Sequence, residues 1–149
     1  MAGKQILRLN YNDMKHLLLS LLLLMSITAT AQNLYNGSGS YRGKVSDGLL
    51  YNYSGSYRGK IDDGGRIYNR NGSYVGKIQN DYIYDSNGSY VGSYRNEKVY
   101  SRSGRYIGSI SNGRIYDGTG KYIGKADNVP SRIIAVIYFF DFCDMNIQY

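Results

Sequence analysis

Histidine and cysteine, the usual bases, nucleophiles and metal ligands, occur only as His16 and Cys143. A Ser-His-Asp set needs a histidine beside the serine. Zinc and transition-metal sites need clusters of His or Cys. A lone thiol with no base beside it is not activated, and one cysteine makes no disulfide within the chain. No phosphate loop or dinucleotide fingerprint is present. Asp62, Asp63, Asp81, Asp85, Asp117 and Asp127 fall in turn-like contexts, where a carboxylate caps backbone N–H groups. Capping explains them more simply than acid–base catalysis. Calcium binding would need a denser acidic loop. These residues point away from an enzyme and away from any metal or cofactor.

The chemistry that remains is aromatic and cationic. The 149 residues include 18 Tyr and 18 Lys+Arg, with a net charge of +7. Tyrosine offers a ring for stacking and a hydroxyl for hydrogen bonding. The candidate binding residues are Tyr41, Arg42, Tyr57, Arg58, Tyr74, Tyr90, Tyr106 and Tyr122. Lys44, Lys60, Lys77, Arg105 and Lys125 add further strand cations. A solvated basic rim is the plainer reading of these charges. The acids interspersed at turns argue against a nucleic-acid surface.

These candidates are positioned by a repeat. The unit Tyr-x-x-x-Gly-x-Tyr-x-Gly begins at Tyr35, Tyr51, Tyr68, Tyr84, Tyr100 and Tyr116, and all six copies keep the four marked residues. Its second tyrosine steps by 16, 17, 16, 16 and 16 residues, the extra one lying in Asp63-Gly64-Gly65. Such self-similarity marks a repeat architecture. Within a unit, Asp85-Ser86-Asn87-Gly88 fits a type I turn followed by a glycine bulge. Between units, Asp47-Gly48 and Asn112-Gly113 favour two-residue hairpin turns. The frequent glycines disfavour helix. The chain therefore reads as an all-β antiparallel meander of short strands. By period-two parity, Tyr74, Gly76 and Ile78 share one face, which predicts a packed Tyr-x-Gly-x-Ile face with a ring from a neighbouring strand crossing each glycine. The opposite face carries Arg42, Arg58, Val75, Val91, Ile107 and Ile123.

Two segments stand outside the repeat. Residues 14–31 read as a secretory leader: Lys15-His16, then an apolar run from Leu17 to Met25, then Ala29-Thr30-Ala31, with cleavage expected before Gln32. Residues 1–13 precede it as an upstream extension, so Met1 and Met14 are both candidate starts. Lys4, Arg8, Lys15 and Asp13 fall before the cut, leaving 15 basic and 10 acidic residues. The expected product is secreted or periplasmic, with no membrane span. At the other end, Ile133–Phe140 reads IIAVIYFF. That is too short to span a bilayer, and its β-branching suggests a strand buried on both faces that closes the array. The expected divisions are leader and extension (1–31), six-unit hairpin domain (32–130), and closing strand with tail (131–149).

Ile83-Tyr84-Asp85 with Asn87-Gly88-Ser89-Tyr90-Val91-Gly92, and Arg114-Ile115-Tyr116-Asp117 with Lys121-Tyr122-Ile123-Gly124, resemble the β-flower repeat proteins. The resemblance covers about residues 34–126. It implies tandem hairpins of about 16 residues arranged around an axis in a small exported protein, and carries no catalytic residue. MORN repeats are a second resemblance, through Tyr41-x-Gly43-x-Val45-x-Asp47-Gly48, but their longer period is missing. Two functions follow as expectations. One is an exported, non-catalytic repeat scaffold or interaction module of the cell envelope. The other is a Tyr-lined module binding a glycan or an anionic envelope polymer. An outer-membrane barrel would need strands of about 9–11 residues, longer than this repeat supplies.

Overall fold

The computed structural model describes residues 10–24 and 31–148, and the chain separates into a unit ending at Thr30 and one beginning at Ala31. In the first unit, helix α1 (Tyr11–Leu24) is started by Asn10, whose Oδ1 accepts the Asp13 amide at 2.8 Å. Leucine-rich sequence favours helix here. Ala29 and Thr30 of the cleavage motif, and most of the upstream extension, lie outside the described residues. No described helix is long and apolar enough to cross a membrane.

The second unit is a closed antiparallel barrel of twelve strands. In chain order they are β1 (Gln32–Asn36), β2 (Tyr41–Ser46), β3 (Leu49–Asn52), β4 (Tyr57–Ile61), β5 (Arg66–Asn69), β6 (Tyr74–Gln79), β7 (Tyr82–Asp85), β8 (Tyr90–Arg95), β9 (Lys98–Ser101), β10 (Tyr106–Ser111), β11 (Arg114–Asp117) and β12 (Tyr122–Ala126). Each repeat contributes one short odd-numbered strand and the longer even-numbered strand after it. Every strand pairs with its sequence neighbours. The ring closes where β1 meets β12, with Leu34 opposite Ala126 and Tyr35 opposite Lys125. The first repeat thus completes its pairing with the last.

The turns follow the sequence chemistry. Within repeats, the Gly88 amide donates to the Asp85 carbonyl at 3.0 Å while Asp85 Oδ1 accepts the Asn87 and Ser89 amides, each at 2.9 Å. Between repeats, Asp47 and Gly48 both take positive φ, 50° and 76°, the two-residue turn whose twist matches paired strands. The residue two after the glycine faces inward: Val45, Ile61, Ile78 and Ile110 are buried, as are Leu34, Leu50, Ile67, Ile83, Val99 and Ile115 from the short strands.

The packed face differs from the expectation in one respect. Gly76 and Ile78 point inward, but Tyr74 does not. Ile67 pairs with Gly76 while Tyr68 pairs with Tyr74, leaving Val75 as an extra residue on its strand. The same shift occurs in every repeat, between Leu34 and Tyr35, Leu50 and Tyr51, Ile83 and Tyr84, Ile115 and Tyr116, and across Tyr106 and Gly108. A β-bulge breaks strand alternation, so the tyrosine turns to the outside. The residue between tyrosine and glycine turns toward the interior: Val75, Val91, Ile107 and Ile123 pack on the core.

The closing strand expected over Ile133–Phe140 is a helix instead. Ser131–Ala135 forms α2 and continues as a wider π turn through Val136–Phe140, in which the Asp141 amide donates to the carbonyl of Val136 at 3.0 Å. The segment is buried as expected, with Ile134, Ala135, Val136, Ile137 and Tyr138 in one core with the strands. A closed barrel has no edge for another strand. Only a helix satisfies its own backbone groups there.

The side chains that cross the glycines therefore come from the C-terminal segment, Tyr138, Phe139 and Phe140 from the π turn and Phe142 and Cys143 from the turn after it, not from neighbouring strands. A Cβ on Gly124 would lie 2.7 Å from the Tyr138 ring, and one on Gly108 or Gly92 would overlap the ring of Phe139 or Phe140. On Gly76 it would meet Phe142 at 2.9 Å, and on Gly59 it would meet Cys143 Sγ at 2.7 Å. At all six glycines, Gly43 included, it would also collide with the backbone carbonyl of the facing strand's tyrosine, so the strand pairing itself requires glycine there. Five side chains, taken in order, address five successive repeats like spokes. An α-helix advances about 100° per residue, whereas six repeats round a ring stand about 60° apart, so a wider-wound turn brings the spokes nearer to the spacing of the notches.

Gly92→Val should therefore destabilise the barrel by about 1–3 kcal/mol or more through overpacking. Ser73→Val, on an exposed turn, should stay within about 0.5 kcal/mol of the parent. Thermal unfolding of both variants checks this, and equal melting temperatures would remove the ring-in-notch packing.

Candidate functional site

The bulge places the tyrosines in pairs on the outer surface. In each repeat the first tyrosine packs edge-to-face on the second: Tyr35 on Tyr41, Tyr51 on Tyr57, Tyr68 on Tyr74, Tyr84 on Tyr90, Tyr100 on Tyr106 and Tyr116 on Tyr122. Centroid separations run from 5.8 Å for Tyr116–Tyr122 to 6.3 Å for Tyr84–Tyr90, within the range for favourable aromatic pairs. The fourth repeat adds Tyr82, 6.0 Å from Tyr90. Tyr41, Tyr57, Tyr74, Tyr106 and Tyr122 retain 37–42% of their surface, and Tyr90 is half-buried.

Cations extend this belt. In four repeats the residue after the inward glycine is a lysine that lies across from the short-strand tyrosine of the next repeat. Lys44 Nζ stands 5.6 Å from the Tyr51 ring centroid, Lys77 5.2 Å from Tyr84, and Lys125 6.0 Å from Tyr35 across the closure. Lys60 is directly opposite Tyr68. Arg95, the last residue of β8, covers Tyr100 at 5.2 Å. Such contacts favour a cation over an aromatic face.

Arg42 and Arg58, the other two candidates, do not join the tyrosines. They occupy the bulge position and are half-buried. Arg58 donates to the Asp144 carbonyl at 2.5 Å and lies 3.8 Å from its carboxylate, so it anchors the tail. The structure thus gathers the six tyrosines into one belt and separates the two arginines from it. Tyr35, Tyr51, Tyr68, Tyr84, Tyr100 and Tyr116 belong to the belt although parity alone did not single them out. Their signal is the invariant six-residue spacing to the second tyrosine.

The turn carboxylates are held by backbone. Asp117 Oδ1 accepts the Thr119 hydroxyl at 2.6 Å and the Thr119 and Lys121 amides at 2.8 and 3.0 Å. The Thr119 hydroxyl, then these amides, hold its carboxyl below the ordinary aspartate value. Burial pushes the Cys143 thiol up to about 11, with the Asp141 and Asp144 charges adding to the rise, so it stays protonated near neutral pH. Tyr138 Oη lies 2.8 Å from the Tyr35 carbonyl and 3.0 Å from that of Lys125. It bridges β1 and β12 from inside, and burial raises its pKa.

A family model described as "5-fold beta-flower protein" matches residues 31–142, the barrel together with its helical plug, and the chain belongs to that family. This barrel closes with six repeats. Searches of curated proteins and of solved structures find no match.

The tyrosine pairs should be coupled energetically. In a double-mutant cycle on Tyr68→Leu and Tyr74→Leu, unfolding free energies should show a coupling of about 0.5–1.5 kcal/mol. Strict additivity would mean the two rings only share a surface.

Proposed function

We propose that this β-flower protein is an exported, non-catalytic scaffold that meets its partners through the outer tyrosine–cation belt. The observation that carries this reading is the division between inside and outside. The barrel interior is taken up by its own C-terminal helix, while tyrosine pairs face outward in every repeat and cations stand over several of them. The leader-like order of Lys15-His16, leucine run and Ala-Thr-Ala supports export. Of the turn acids, Asp62, Asp85 and Asp117 cap backbone amides and Asp127 pairs with Lys125, which fits a structural role rather than turnover.

A second reading, glycan binding, is favoured by the partial exposure of the tyrosine rings. Sugars and aromatic faces associate through apolar contact, and the hydroxyls add hydrogen bonds.

N-terminal sequencing of the natively produced protein tests export. The chain should begin at Gln32, and a product retaining Leu17–Leu24 would contradict the reading. A glycan array probed with the same protein tests the second reading, which predicts retention by at least one polysaccharide class and fails if none is bound.

A further inference from the structure

The belt is not equivalent around the barrel. The strand position after the glycine holds Lys44, Lys60 and Lys77 in repeats 1 to 3 and Lys125 in repeat 6, but Ser93 and Ser109 in repeats 4 and 5. Repeats 6 and 1 stand at opposite ends of the repeat array in sequence. The β1–β12 pairing makes them neighbours, so the four lysines form one continuous sector. Repeats 4 and 5 carry cations too, Arg95, Lys98, Arg102 and Arg105; what sets the sector apart is that its lysines recur at one strand position. Among the described residues, Lys125 is the one sector lysine with an ion pair, to Asp127 at 2.5 Å.

Successive lysines of the sector are separated by two strand positions, about 9–10 Å, with a tyrosine pair beside each. The surface thus alternates a cation with an aromatic and hydroxyl-bearing patch at fixed spacing. We infer that this sector binds a linear acidic polysaccharide, its anionic groups on the lysines and its sugar faces on the tyrosines. The inference rests on the glycan reading above and names its substrate class. Lysine at all four positions supplies point charges at fixed spacing without arginine's bidentate fork, and the tyrosine rings between them offer faces for sugars rather than for a chain of phosphates alone. A lipid surface has less to hold it, because among the described residues of the barrel no exposed Leu, Ile, Val or Phe is available to enter an acyl layer.

The test is affinity chromatography of the full barrel protein on immobilised polyuronate, neutral glucan and duplex DNA, and flotation with anionic phospholipid vesicles, at several salt concentrations. Three proteins are compared: the parent, K44S/K60S/K77S, and the charge-matched control K98S/R102S/R105S in repeat 5. Salt-sensitive retention of the parent on polyuronate is expected, weakened about tenfold by the sector variant and less than about twofold by the control. Circular dichroism of each variant confirms folding, and the exposed Lys44 and Lys60 can be tested singly if the triple variant does not fold. Equal weakening by both triple variants would leave glycan binding intact but overturn the sector. Stronger binding to DNA or vesicles than to polyuronate would overturn the polysaccharide assignment. Binding only to neutral glucan would remove the lysines from recognition. No glycan binding at all would defeat the underlying reading and this inference with it.

Discussion

A closed ring of twelve strands encloses more space than its own inward side chains can fill. About eight strands is the size at which they suffice. The β-flower chain adds a helix and cuts a place for it in every wall it touches. Glycine, already required by the facing strand's carbonyl, also leaves the space in which Tyr138, Phe139, Phe140, Phe142 and Cys143 lie, each under 3 Å from where a Cβ would stand. Each of Ile134, Val136 and Ile137, buried along the same segment, contributes about 1.5–3 kcal/mol of hydrophobic transfer free energy. The helix also locks the closure, because the Tyr138 hydroxyl sits between the carbonyls of β1 and β12.

The glycine has a second consequence, felt outside. In every repeat, including the first, whose Gly43 meets no side chain of the helical segment, the glycine's Cβ position is taken by the carbonyl of the facing strand's tyrosine, and the tyrosine before the glycine lies outside. The one-residue bulge beside the glycine turns it outward onto its partner. One local irregularity, repeated six times, places isoleucine and glycine inward and tyrosine outward. The outer rings are held against each other and against lysines, so their positions are fixed by the barrel and not by a ligand. A rigid, periodic display of this kind suits a surface that meets an extended partner.

Much of this was legible in the residues. The six units, their turns, the all-β character and the inward Ile and Gly positions follow from spacing and turn chemistry. Burial of Ile133–Phe140 follows from its apolarity. Its helical form does not, because a strand and a short helix of eight apolar residues have the same composition. What decides between them is the absence of a free sheet edge, a property of the closed ring. Period-two parity carries no sign of a bulge and so places the tyrosines inward. The division of Arg42 and Arg58 from the tyrosines has the same origin. Lys125 and Tyr35 become neighbours only through closure, which no local pattern encodes.

Thermal unfolding of a chain ending at Pro130, followed together with its oligomeric state, tests most directly whether the helix is the filling on which the barrel depends. The account predicts that the truncated chain aggregates or lacks a cooperative transition, since removing the helix leaves a wide apolar lumen lined by Ile, Leu and Val. A monomeric truncated chain that melts cooperatively at the temperature of the full-length protein would contradict it.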